Sequence, residues 1–228
     1  MARAASDSEI ASLPCMAHTL QLAVNEGVLS QQNITNILKV GRKIIGHFKH
    51  SQTAYSQLQD VQIALGMKTK RFQQDIVTRW NSTFYMLQSL LEQRRTLGAY
   101  VADYDLPATL NAAQWGVIEN LLTILTPFEE LTRKISSSAA CVSDVIPSIV
   151  ALTRLLGTSA DTDQGIKTAK RTLLDAVNRR FADIQSEPLY CVATLLDARY
   201  KDRYFDRENK HRAHDMLRAA VDKLELET

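Results

Sequence analysis

A mainly helical fold is predicted by three features of this 228-residue sequence: apolar residues recur at three- and four-residue steps, only 8 glycines and 5 prolines occur, and 45% of residues are hydrophobic. The first is the signature of amphipathic helices that bury one face. The second leaves few positions for the tight turns of an all-β fold. The third supplies enough apolar material for one large core or two small ones.

After Pro14, the stripe Met16, Leu20, Ala23, Val24 and Val28 predicts a helix to about Leu29. Ile34, Ile37, Leu38, Ile44, Ile45 and Phe48 predict a second, weakened near Gly41 because glycine loses most backbone entropy in a helix. Ser51 can cap a third, with Tyr55, Leu58, Val61 and Leu65 inward and Gly66 at the left-handed stop. From Met67 to Arg79 the periodicity fails while Lys68, Lys70, Arg71 and Arg79 accumulate, which predicts an exposed basic connection.

Asn81, Ser82 or Thr83 can cap one long helix carrying Met86, Leu87, Leu90, Leu91, Leu97 and Val101, ending before Pro107. Asn111 and Gln114 have capping-box spacing for a helix to Ile135 that Pro127 should kink or split. Beyond the serines 136–138, Val142 to Leu152 predicts a helix with Pro147 in its first turn. Residues 157–165 read as a linker-like loop, dividing the chain into 1–156 and 166–228. Ile166 to Ile184 is again helical, and a last helix takes in Ala213 to Leu224. The apolar run Leu189–Leu196 suits a buried strand or a helix, with helix preferred.

Lys and Arg number 27 against 25 Asp and Glu, so contact with nucleic acid would have to be local. Cys15, Cys141 and Cys191 are too few and too scattered for a disulfide framework and suit a reducing compartment. The sequence lacks a run of about 18 apolar residues and an apolar signal core, so neither a membrane nor a secreted chain is expected. An N-terminus passing almost at once into Ile10, Leu13 and Cys15 reads as entry into the middle of a domain.

Cys15 and His18 form a C-x-x-H pair of natural zinc ligands, but two ligands are not a site; packing is the preferred reading and no metal is assigned. His211 and His214 read as solvated positions on a charged helix. The block from Asp75 to Thr83 has two readings. In one, Arg79 neutralises a phosphate while Trp80 stacks on an unpaired base. In the other, favoured by composition alone, Trp80 is core, Arg79 pairs with Asp75, and Asn81 or Ser82 caps a helix. No nucleophile elbow, P-loop, H-E-x-x-H or glycine-rich dinucleotide turn occurs, so no catalytic residue is assigned. Asp197, near Arg199 and Lys201, is expected to form an ion pair at a helix end.

Four blocks, L-P-C-M-A-H-T-L-Q-L-A-V (Leu13–Val24), D-I-V-T-R-W-N-S-T-F-Y-M-L (Asp75–Leu87), L-T-P-F-E-E-L-T (Leu125–Thr132) and A-T-L-L-D-A-R-Y-K (Ala193–Lys201), together resemble the hAT transposase family, above all its domesticated BED-zinc-finger (ZBED-type) relatives. The resemblance implies a ribonuclease-H-like core interrupted by a large helical insertion. This chain is expected to be that insertion, with at most a remnant of the α/β core. Cys15 and His18 match the family's C-x-x-H element, and Trp80 matches an insertion-domain tryptophan that can stack on a flipped base. Ala198 stands where many relatives carry proline.

The family's catalytic residues, two upstream aspartates and a downstream glutamate, bind divalent metal for strand cleavage. None can be placed here, Asp7 lying too close to Cys15. The resemblance therefore implies a catalytically inactive nuclear protein fragment with no cofactor of its own, divalent metal belonging only to a complete core. The expected DNA-contacting residues are Lys70, Arg71, Arg79, Trp80 and Asn81. Expected partners are DNA, a second copy joined through a segment outside these residues, and other nuclear proteins, with no membrane. The rival expectation is a helical protein-interaction scaffold without DNA binding, which the near-zero net charge favours; a third is a competent transposase in a longer protein.

Overall fold

A computed structural model describes residues 13–226; Asp7 and Ile10 lie outside them. The described residues form α1 (Met16–Val24), α2 (Gln32–His50), α3 (Gln52–Ala64), α4 (Trp80–Glu92), α5 (Arg94–Asp103), α6 (Ala112–Ile135), α7 (Val145–Gly157), α8 (Lys167–Arg180), α9 (Pro188–Leu196) and α10 (Arg207–Leu226), with no strand among them. No helix of these residues is long and apolar enough to cross a membrane. The chain groups into two compact units, each discontinuous in sequence.

The larger unit comprises Val24–Glu129 and Arg154–Ala176. It opens with a π turn, Asn25–Leu29, where one continuous helix is expected from the sequence. Gly27 lies within this turn: a Cβ there would stand 2.5 Å from the Cα of Leu173, so only glycine allows α8 this close. The Gly27 carbonyl accepts from the Thr172 hydroxyl at 2.5 Å and from the Gln31 side-chain amide at 2.8 Å.

Helix α2 runs unbroken through Gly41, contrary to the expected weak point. A Cβ at Gly41 would lie 2.8 Å from Leu90 Cδ1, so the glycine admits α4 to close packing. The roughly 1 kcal/mol propensity cost is offset by burying Ile37, Leu38, Ile44 and Ile45 along the same face. Ser51 caps α3 by accepting from the Ala54 amide at 3.1 Å, and Gly66 beyond its end has φ +68°, both as the sequence predicts.

The single long helix expected after Thr83 is two, α4 and α5, broken at Gln93. Gln93 is buried with φ −103° and ψ 12°, and its side-chain oxygen accepts from the Gln62 amide at 2.6 Å. Apolar spacing continues across the break, so the change of direction is silent in the pattern. Helix α6 is capped reciprocally by Asn111 and Gln114 at 2.9–3.0 Å. It is not split at Pro127. A proline inside a helix costs about 3 kcal/mol; burial of Leu125, Phe128 and Leu131, worth about 1.5–3 kcal/mol each, outweighs it. Residues 157–165 belong to this unit, where Lys170 Nζ reaches Asp163 at 2.7 Å and the Thr158 carbonyl at 2.5 Å.

Among the described residues, the smaller unit comprises 13–23, Glu130–Thr153 and 177–226. Its core gathers Val145, Ile146, Tyr190, Cys191, Phe205 and Ala213. Leu189–Leu196 is helical, as preferred, because Glu187 caps the start and Pro188 occupies the first turn. The expected ion pair is present: Arg199 grips Asp197 at 2.6–3.2 Å, and Ser143 donates to the same carboxylate at 2.7 Å. The Arg199 bonds, then that of Ser143, hold the Asp197 carboxyl well below the usual carboxylate range. Beneath it, Asp144 is buried and receives Lys134 Nζ at 2.9 Å and the Tyr200 hydroxyl at 2.5 Å. Burial alone would raise the Asp144 carboxyl, but these donors prevail and lower it. The network ties the turn 142–144 to the loop after α9, so both carboxylates have their partners within the fold.

Candidate nucleic-acid interface

Charge that nearly cancels over the whole chain is strongly segregated along it. Residues 39–79 carry Lys39, Arg42, Lys43, Lys49, Lys68, Lys70, Arg71 and Arg79 against only Asp60 and Asp75. Asp75 is itself neutralised: its carboxylate, 2% exposed, takes Arg42 in a fork at 2.6–3.2 Å and accepts from the Thr83 hydroxyl at 3.0 Å. Burial would raise the Asp75 carboxyl, yet the Arg42 bonds and charge, with Thr83, hold it below the ordinary value.

The basic connection between α3 and α4 has no regular structure, but it is held residue by residue. Gln62, 1% exposed, accepts from the Lys70 amide at 3.2 Å and donates to the Lys70 carbonyl at 2.9 Å. The Arg71 guanidinium lies 4.1 Å from the Tyr55 ring centroid. Phe72 stacks on Phe48 with centroids 5.3 Å apart. The Gln73 amide donates to Ser89 at 3.1 Å, and Lys49 donates to the Gln74 side-chain oxygen. Asp75 is fixed as above, and the Ile76 amide donates to Ser82 at 2.7 Å. Seven consecutive positions, 70–76, are thereby anchored to α2, α3 or α4, while the side chains of Lys68, Lys70, Arg71 and Arg79 stay exposed. Lys70 faces Glu92 at 3.1 Å, a pair so exposed that a phosphate can displace it at little cost.

The sequence-predicted residues fall into distinct environments. Arg79 occupies the N-cap position of α4 without capping it, and Asp75 pairs with Arg42 rather than with Arg79. Asn81, half-buried, is the second residue of α4 rather than its cap. Trp80 corrects the stacking expectation: at 1% exposed it is a core side chain, edge-on to Phe84 at 6.3 Å, and presents no face to a base. Cys15 and His18 are exposed at the start of α1, in the smaller unit, where packing is expected from the sequence. No group of three or more His, Cys, Asp or Glu residues that could hold a metal ion occurs among the described residues. His211 and His214 are exposed on α10, as expected.

Gln62, Arg42 and Ser89 hold the basic segment and were missed by sequence reasoning. The one available signal was Gln62, a polar residue four positions after Leu58 on the apolar face of α3; it is the buried member of the pair Val61 and Gln62.

Residues 13–124, which contain this basic segment, match the ZBED1 RNase-like helical domain. Over 214 residues the chain is 30% identical to Zinc finger BED domain-containing protein 4 of Homo sapiens, an alignment covering 93% of this chain and 18% of that protein. This is a hAT-derived chain of the BED-zinc-finger type. It is also 32% identical over 217 residues to Zinc finger BED domain-containing protein 6 of Homo sapiens, covering 89% of the chain and 21% of the relative. A candidate transcriptional regulator of Talaromyces stipitatus is 24% identical over 219 residues, covering 85% and 24%. The BED-type chain thus spans about a fifth of the length of the curated relatives it matches. No solved structure matches it.

Proposed function

We propose that this transposase-derived helical region contacts DNA through the anchored basic segment 67–79, as part of a nuclear regulatory protein, and performs no strand cleavage with its own residues. The observation behind this reading is that Lys68, Lys70, Arg71 and Arg79 are exposed on an irregular segment whose positions 70–76 are each held to a neighbouring helix. Holding cations in place lowers the ordering cost of phosphate binding and favours a defined approach to the backbone. The names of the relatives, BED zinc-finger proteins and a candidate transcriptional regulator, support the nuclear and regulatory part. Arg79 and the loop cations carry the contact in this reading; Asn81 and Trp80 support it from within the fold.

The test is fluorescence anisotropy of a labelled duplex across salt from about 50 to 200 mM. Four neutralised phosphates predict a log–log slope near about −3.6, each Lys or Arg to Ala change removing about 0.9 of it. The combined Lys68, Lys70, Arg71 and Arg79 alanine variant should lose binding while keeping its circular dichroism. Binding that is insensitive to salt, or survives that variant, would overturn the reading and leave the protein-interaction scaffold in its place.

A further inference from the structure

The larger unit holds a cavity of about 200 Å³ directly beside the basic segment, lined by Ile45, Phe48, Lys49, Tyr55, Arg71, Phe72 and Gln74. Its composition is unusual for a gap between helices. Three aromatic rings and one isoleucine supply apolar walls, and every polar group on the rim is a donor or an amide. Phe48 is buried, Phe72 and Tyr55 are half-buried, and Arg71 and Lys49 are exposed. The volume is below the roughly 300–1,000 Å³ of sites for drug-sized ligands, which limits the occupant to a single small ring system.

The charge of the rim narrows the chemistry further. A methylated ammonium or a guanidinium would suit an aromatic cage, but Arg71 and Lys49 repel it. A planar, polarisable ring joined to negative charge fits both features: the rings offer π faces, and the cations meet the anion. Gln74 and Lys49 are already bonded to each other. The amide NH₂ of Gln74 and the remaining Lys49 protons are donors for ring carbonyls and ring nitrogens. Lys70 adjoins Arg71 in sequence and Lys68 lies three residues before it, both exposed, so further positive charge stands near for a phosphate backbone.

We propose that this cavity takes one unpaired nucleobase of DNA, with its flanking phosphates on Arg71 and Lys70. The assignment rests on the DNA-contact reading above and moves the base-stacking role from the buried Trp80 to Phe72 and Tyr55, which water reaches. Phe72, stacked on Phe48, and Tyr55, covered by Arg71, both line the cavity, and in this reading the base lies against Phe72. Taking up a base already unpaired in a bulge avoids the energy of opening a pair, so bulged DNA is the preferred probe over intact duplex.

The experiment compares the whole chain on two labelled DNAs, a fully paired duplex and the same duplex carrying one bulged base. Stacking of one base predicts that the bulged DNA binds about 5- to 150-fold tighter. Phe72→Ala should erase that gain, read as the ratio of bulged to paired affinity, because loss of the Phe72 anchor also weakens duplex binding itself. Phe72→Leu, which keeps the apolar contact with Phe48 but removes the ring face, should erase most of it with the thermal midpoint preserved. With 2-aminopurine as the bulged base, binding should quench its fluorescence in the natural chain and not in Phe72→Ala. Salt-dependent duplex binding with no bulge preference, or a preference that survives both Phe72 variants, overturns the pocket and leaves the interface standing. Failure to bind either DNA overturns both.

Discussion

Replacing Asp75 by asparagine tests whether the basic segment acts as an anchored unit. The substitution preserves shape and removes the charge that Arg42 grips in a three-bond fork and that Thr83 also contacts. Breaking a buried ion pair costs about 3–5 kcal/mol. Arg42 is 32% exposed, so water recovers part of that, and the expected loss is about 2 kcal/mol. For a domain of this size the thermal midpoint should fall by about 4–8 °C at neutral pH.

The pH dependence has a definite sign. Folding lowers the Asp75 pKa, so the pair stabilises the protein above the unfolded carboxylate value, near about 4, and that contribution is lost as pH falls through the folded value. Melts followed by circular dichroism should therefore show a gap between the two proteins that is full at neutral pH and closes in acid. DNA affinity sharpens the test. Asp75→Asn removes a negative charge from the protein, which taken alone strengthens attraction to phosphate; release of the anchored segment weakens binding. We expect weaker binding, several-fold. A variant that melts like the natural protein and binds DNA more tightly would refute the anchoring argument.

Trp80→Ala should destabilise the protein by about 3–5 kcal/mol, the usual cost of truncating a buried tryptophan, measured by denaturant unfolding; an unchanged midpoint with DNA binding lost would return Trp80 to the interface. Gly27→Ala should cost about 1–3 kcal/mol or more because the backbone of Leu173 must move. Gly41→Ala should be far milder, since it meets only the flexible end of Leu90 and gains helix propensity; the two are compared in parallel melts. In thiol labelling at mildly alkaline pH, Cys15 and Cys141, both exposed, should react quickly, while Cys191, buried and with its thiol pushed up to about 11 by burial, should react only on unfolding.

Much of the helical plan was legible because it depends on local chemistry. A stripe repeating every three or four residues needs no tertiary information, nor do the Ser51 cap, the Asn111–Gln114 box or the left-handed Gly66. The basic character of residues 67–79 was visible for the same reason. The differences came where a distant segment met the local pattern: the π turn Asn25–Leu29, where Gly27 packs under Leu173, and Gln93, which breaks a helix while bonded to Gln62.

The sequence by itself determined the helical class, the family and the stretch of chain on which positive charge collects, because composition, period and ordered motifs are properties of neighbours along the chain. Only the tertiary structure decided which of those residues face solvent. It drew Trp80 into the core, matched Asp75 with Arg42 instead of Arg79, and fastened seven irregular residues to three helices. Those choices depend on burial and on partners as far apart in sequence as Arg42 and Asp75, and a residue's preference for water or for a hydrogen bond says nothing of where the partner will be found.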